Sequence, residues 1–245
     1  MKEEYILVLG ATSDIALAVA HEYARHGYHL YLAAREPEKL EADITDLRVR
    51  YRTEVRSVLF DVLDFPSHEK FYKNLSPPPS GVVCAIGYLG SQVLGKNDFI
   101  EVQRTIDTNF TGCVSILNIV ANDFEERTRG FIVAISSAAG DRGRKTNYHY
   151  GSAKSGLSAY LSGLRNRLHN AGVKVLTVKP GFVNTRMTAG MKLSPLLTAE
   201  PQEVARDIFT AQQKGRDVIY TKWFWRLIMF LIIHVPEKFF KRLSL

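Results

Sequence analysis

Tyr150 and Lys154 stand four residues apart in a stretch with helical periodicity, and residues at that separation project from the same face of a helix. An ammonium beside a phenol stabilises the phenolate and lowers the tyrosine pKa toward working pH, so that the hydroxyl becomes a usable proton donor and acceptor. A tyrosine packed beneath a lysine stem satisfies the same spacing, so the pair needs company. Ser136 and Ser137 follow an apolar run that ends at Ile135, and Asn109 lies on an earlier helical stretch. These are polar groups of the kind that support proton transfer to an oxygen.

A second group of residues has the chemistry of phosphate binding. The apolar run Tyr5 to Leu9 leads into Gly10-Ala-Thr-Ser-Asp-Ile-Ala16, and a periodic stretch from Ile15 through Tyr23 ends near Gly27. This reads as strand, tight turn and helix, with Gly10 permitting the turn and the free amides of Thr12, Ser13, Asp14 and Ile15 aimed at a pyrophosphate. Asp14 and Ala16 stand where a dinucleotide fingerprint would place glycines. Asp14 is also a good helix cap, and its carboxylate must turn away from a pyrophosphate or accept amide hydrogen bonds itself. At the end of the second strand, where an NAD-preferring site tends to show an acid, Arg35 offers a guanidinium to a ribose phosphate. A solvated arginine beside Glu36 and Glu38 is the plain alternative. Asp61, closing the third strand, either accepts a hydrogen bond from an adenine amino group or makes a turn with Asp64 and Pro66.

The elements that must position these residues alternate along the chain. Strands are expected at Tyr28 to Ala33, Val55 to Phe60, Val82 to Ile86, Gly130 to Ile135, Val173 to Val178 and Val218 to Tyr220. Helices are expected at Pro37 to Tyr51, Thr105 to Phe124, Tyr148 to Asn170 and Pro201 to Gln213, with a loop at Ser76 to Ser80. Strands rich in valine, isoleucine and leucine between helices predict a doubly wound, Rossmann-like α/β fold, a parallel sheet of about seven strands covered on both faces. With 245 residues, 46% apolar and 23% charged, the chain can bury a full core and is not of the disordered class. No segment repeats, so a solenoid is excluded. Cys84 and Cys113 read as core packing, and an N-terminus without signal-peptide character predicts a reduced, cytoplasmic protein. The net charge of +7 is spread along the chain, which argues against nucleic acid. No metal site is expected.

From its first strand to about Tyr220 the sequence resembles the short-chain dehydrogenase/reductase family. The pieces that carry the resemblance are Gly10-Ala-Thr-Ser-Asp-Ile-Ala16, Asp61-Val62, Cys84-Ala-Ile-Gly87, Asn109, Ser136-Ser137, Tyr150-x-x-x-Lys154 and Pro180-Gly-Phe-Val-Asn-Thr185, in the family's order and spacing. The resemblance implies a nicotinamide-dependent carbonyl or alcohol oxidoreductase, with NADP(H) preferred because of Arg35 and NAD(H) as the alternative. Tyr150 would be the general acid and base, Ser137 the group that hydrogen-bonds the carbonyl oxygen, Lys154 the ligand of the nicotinamide ribose, and Asn109 the holder of a proton-relaying water. Val62, Ala85 and Gly87 would line the cofactor, and Pro180, Gly181, Val183 and Thr185 would shape its nicotinamide end. Cys84-Ala85-Ile86 departs from the paired asparagines and alanine common there.

Past Pro180-Gly181, the segment Arg186 to Glu200 carries Met187, Met191, Leu193, Leu196 and Leu197 and reads as an apolar substrate lid or a packed loop. Residues 221–245 form a separate extension after the 1–220 domain, with Trp223-Phe-Trp-Arg-Leu-Ile-Met-Phe-Leu-Ile-Ile233 followed by Lys238, Lys241 and Arg242. The run is shorter than the ~20 residues needed to cross a bilayer. It suits an amphipathic helix lying in the membrane interface, a buried C-terminal helix, or an oligomer contact. This tail and the glycine-loop opening resemble the branch of the family containing polyprenylphosphoryl keto-pentose reductases. That resemblance implies a lipid-linked keto-sugar as substrate and a peripheral site at the cytoplasmic membrane face. The other readings are a homo-oligomeric reductase of a soluble small-molecule or lipid carbonyl, and a cofactor-binding sensor without turnover.

Overall fold

The computed structural model describes residues 4–243. The first strand, β1 (Tyr5–Leu9), is buried at every position, as a run apolar on both faces must be when it sits at the centre of a covered sheet. Gly10 turns the chain with φ 77° into α1 (Asp14–Arg25). Then follow β2 (His29–Ala34), α2 (Glu41–Tyr51), β3 (Val55–Leu59), α3 (His68–Lys73), β4 (Gly81–Cys84), α4 (Phe99–Ile106), α5 (Gly112–Glu126) and β5 (Phe131–Ile135). The second half runs α6 (Tyr148–Leu168), β6 (Lys174–Pro180), the two-residue strands β7 (Phe182–Val183) and β8 (Thr198–Ala199), α7 (Pro201–Gln213), β9 (Val218–Thr221), α8 (Trp225–His234) and α9 (Glu237–Phe240).

Seven strands form one parallel sheet in the order β3-β2-β1-β4-β5-β6-β9. Alternate residues of β1 serve opposite faces. Ile6 and Val8 pack with Val19 and Tyr23 of α1, Leu47 of α2 and Ile208 of α7. Leu7 and Leu9 pack with Leu117 and Phe124 of α5 and Leu157 and Leu161 of α6. Because β1 pairs with both β2 and β4, strand order reverses there, and a crevice opens at the carboxyl ends of these strands.

Three expectations change. The helix at Thr105 to Phe124 is two helices, α4 and α5, joined by a π-helical turn at Asp107–Thr111. Gly112, just after the turn, lies so close to Val62 that a Cβ would fall 2.3 Å from its carbonyl oxygen. The cap of α1 is Ser13, whose Oγ accepts from Ala16 N at 3.2 Å, while Asp14 is the first helical residue. Several strand ends shift by a residue or two, and the segment after Cys84 leaves the sheet. Cys84 and Cys113 are buried free thiols with Sγ atoms 3.7 Å apart. Among the described residues no helix is long and apolar enough to cross a membrane.

Candidate active site

α6 is held against the end of β5 by the buried Ser136, whose Oγ donates to Lys154 O at 2.9 Å and lies 2.7 Å from Ser158 Oγ. The loop after Ser137 closes tightly on the same helix. A Cβ at Gly140 would meet Lys154 C at 2.8 Å, and one at Gly151 would meet Ala139 O at 2.9 Å. This packing fixes three side chains on one wall. Lys154 is 2% exposed, and its Nζ donates to Ile86 O at 3.2 Å and Ile135 O at 3.0 Å. The same ammonium lies 5.8 Å from the centroid of the Tyr150 ring. Ser137 is extended and half-buried, and its Oγ accepts from Ala139 N at 3.1 Å.

Ser137, Tyr150 and Lys154 line a cavity of about 540 Å³ that reaches back over the first turn of α1. Gly10, Thr12, Ser13, Asp14, Ile15, Arg35, Asp61, Val62, Ala85 and Gly87 line it too, as do Pro180, Gly181, Val183 and Thr185. Gly10 has no room for a side chain, since a Cβ would stand 3.1 Å from the Ala85 backbone in a conformation that L residues avoid. Ala16 is fully buried under the strand, so a methyl is accommodated where glycine was expected. With Ser13 Oγ occupied by Ala16 N, the amides of Asp14 and Ile15 remain as first-turn donors without an intrahelical partner. The carboxylate of Asp14 is turned away from them, accepting from Arg186 N at 2.7 Å and Nε at 2.8 Å, while Arg186 Nη2 donates to Thr12 O. This set of donors, with a cation at its far end, fits a dinucleotide.

Arg35 is exposed on the cavity wall at the end of β2. The neighbouring Glu36 pairs with Lys39 at 2.6 Å and so does not engage it. Asp61 caps its own turn, its Oδ1 accepting from Leu63 N at 3.0 Å. Its carbonyl is held by His68 Nε2 at 3.0 Å, and His68 Nδ1 lies 2.9 Å from Ser115 Oγ. Burial pushes the His68 imidazole below its ordinary pKa, which favours the neutral ring that such a brace needs.

Asn109 does not line the cavity. It is fully buried in the π turn, where Nδ2 donates to Tyr88 O at 2.6 Å and Thr105 O at 2.8 Å, and Oδ1 accepts from Tyr88 N at 3.1 Å. The side chain therefore braces the backbone at Tyr88 from inside the π turn.

Several residues on the wall escaped the sequence reading. Lys39 joins Arg35 at the β2 end, and Tyr88, Arg104, Arg144, Asn147 and Trp225 surround the other end. Arg104 stacks over the Tyr88 ring at 4.5 Å. Trp225 is carried in by α8 and lies flat on Gly181, where a Cβ would fall 2.0 Å from the indole. Its Nε1 donates to Leu197 O at 3.0 Å. The readable signal for Arg144 is Arg142-Gly-Arg-Lys145 just ahead of α6, because cations at a helix N-terminus oppose the dipole and need another reason to be there.

A family model described as short chain dehydrogenase matches residues 4–194. An uncharacterized oxidoreductase of Mycobacterium tuberculosis is 33% identical over 241 residues, covering 97% of this chain and 96% of its own. An uncharacterized oxidoreductase of Streptomyces coelicolor is 34% identical over 244 residues, with 97% and 95% covered. In fold, the chain is similar to a short-chain dehydrogenase from Sphingobium yanoikuyae in complex with NADPH, with a TM-score of 0.82, 21% identity and 96% and 97% of the two chains covered.

Proposed function

The chain belongs to the short-chain dehydrogenase family, and from that premise we propose that it reduces a ketone to an alcohol, with Tyr150 as the proton donor. The observation that carries this reading is the meeting of Ser137, Tyr150 and Lys154 on one wall of a cavity whose other end is the Gly10 turn. A bound nicotinamide cofactor supplies the hydride to the carbonyl carbon. Tyr150 gives its phenolic proton to the carbonyl oxygen as that bond forms, and Ser137 Oγ hydrogen-bonds the same oxygen while it gains negative charge. Lys154, whose Nζ lies 5.8 Å from the Tyr150 ring centroid, would hold the nicotinamide ribose. The reverse reaction uses Tyr150 as base.

NADP(H) is the preferred cofactor in this reading, since Arg35 lines the cavity beyond β2 and the acid beside it, Glu36, pairs with Lys39. NADPH in the Sphingobium protein supports the choice. The substrate is a carbonyl on a lipid carrier, in the finest form a keto-sugar on a polyprenyl phosphate. The apolar wall of Met187, Met191 and Trp225 and the exposed apolar face of α8 support a lipid-bearing substrate taken at the cytoplasmic membrane face. A subunit contact in a homo-oligomer is the competing use of that face.

Replacing Tyr150 with Phe removes the proton and little else. NADPH oxidation with a ketone substrate is expected to fall by about 10²- to 10⁴-fold, with NADPH affinity, read by fluorescence titration, within a small factor of the parent. A Tyr150→Phe protein that turns over ketone at the parent rate overturns the assignment.

A further inference from the structure

The cavity holds a cation that forms no ion pair among the described residues. Arg144 is half-buried on the wall shared with Tyr150, and its Nε has no hydrogen-bond partner among the described residues. Its Nη2 leans on Met229 Sδ at 3.4 Å, a weak acceptor. Asp141, whose charge favours the protonated guanidinium without touching it, is itself engaged by Lys179 Nζ at 2.5 Å and by the Tyr220 hydroxyl at 2.7 Å. Glu237, on the docked tail, pairs with Arg142 at 2.9 Å. Burial weakens the protonation of the Arg144 guanidinium relative to its ordinary value, yet a guanidinium stays charged in proteins. A charge drawn out of water without an adjacent partner is costly, and a ligand that brings a counter-charge into contact reduces that cost.

Asn147 marks the same place. It occupies the cap position of α6 but makes no capping bond, and its Oδ1 is buried without a partner while the residue lines the cavity. Two unsatisfied polar groups thus line the cavity together with the proton donor, and the cavity wall also carries Met187, Met191 and Trp225.

We propose that Arg144 is a specificity-determining residue that binds a terminal anionic oxygen of the substrate, selecting ketones that join a phosphate or carboxylate to an apolar body. This rests on the oxidoreductase reading only in taking the cavity for the substrate site. A guanidinium presents paired donors to either anion, and apolar walls beside it suit the hydrocarbon of an amphiphile.

The test compares geraniol, geranyl phosphate and geranic acid as ligands of the full-length protein, titrated calorimetrically with and without saturating NADPH. One or both anions are expected to bind at least about 10-fold more tightly than the alcohol. Arg144→Gln should erase that preference and Arg144→Lys should restore part of it, with NADPH affinity unchanged in both as proof of folding. Preference for the phosphate alone, the acid alone or both identifies the anion. The proposal is overturned if the three ligands bind equally or not at all, or if Arg144→Gln keeps the preference. Failure of the unmodified protein to bind NADPH would instead count against the oxidoreductase reading, because the anion preference needs no turnover.

Discussion

Lys154 owes its place to backbone rather than to side chains. Its Nζ is held by the carbonyls of Ile86 and Ile135, which belong to the ends of adjacent chain segments at the top of the sheet, so the ammonium under Tyr150 is as fixed as the sheet itself. Burying a lysine is costly unless its donors are matched, and two carbonyls reduce that cost while leaving a third N–H available. At the other end of the cavity Arg35 is exposed, so its contribution should be a single charge-assisted contact. Arg35→Ala is expected to lower the NADPH-over-NADH ratio of kcat/KM by about 10-fold or more, with Lys39 keeping a residue of preference. An unchanged ratio, measured with both cofactors on one ketone, would show that Arg35 is only a solvated side chain. That Tyr150, Lys154, Ser137 and Gly10 line one cavity was legible from the joint order and spacing of pieces on several elements, none of which carried it alone. Arg144 and Trp225 were not, because their places on the wall depend on contacts distant in sequence, with Met229 and with Gly181 and Leu197.

The π turn at Asp107–Thr111 shows what helical periodicity cannot convey. Apolar residues on both sides of it keep nearly the same phase, so the stretch from Thr105 to Phe124 reads as one helix. The inserted residue is revealed only by what lies across from it. Asn109 reaches the backbone of Tyr88, and Gly112 abuts Val62. Strands β1 and β5, buried from end to end, were legible for the opposite reason, since burial on both faces is written directly as an unbroken apolar run. The turn should matter energetically. Asn109→Ala leaves the Tyr88 amide and carbonyl without their buried partner, which costs about 2–6 kcal/mol at ~1–3 kcal/mol per orphaned group. Urea unfolding followed by tryptophan fluorescence reads this as a lower midpoint. A loss under about 0.5 kcal/mol, the scale of an ordinary surface change, would mean that water replaces the amide and that the brace is dispensable.

Over the whole molecule, the net charge of +7 and a short apolar tail were both visible in the sequence, but not that the tail forms part of the cavity wall. α8 buries Trp225 and Met229 against Ala138 and Phe182. Its last carbonyls are gathered by Arg142, which donates to Ile232 O at 2.6 Å, Ile233 O at 3.0 Å and Val235 O at 2.6 Å, a cation where the helix dipole favours one. The helix is thus fixed in orientation, and it presents Leu227, Phe230 and Leu231, each more than half exposed, with Arg226, Lys238, Lys241 and Arg242 exposed around them. An apolar stripe rimmed by cations matches an anionic bilayer surface, where each basic residue contributes about 1 kcal/mol and the stripe enters the acyl boundary. The protein is therefore expected to float with phosphatidylglycerol-rich vesicles, less so in high salt, and hardly at all with purely zwitterionic ones. Leu227→Glu combined with Leu231→Glu should abolish flotation while leaving reduction of a small soluble ketone unchanged, since neither residue lines the cavity. If the unmodified protein ignores vesicles and sediments as a dimer that the same double substitution dissociates, the stripe is a contact between two copies, and lipid-borne substrate must reach Tyr150 by another route.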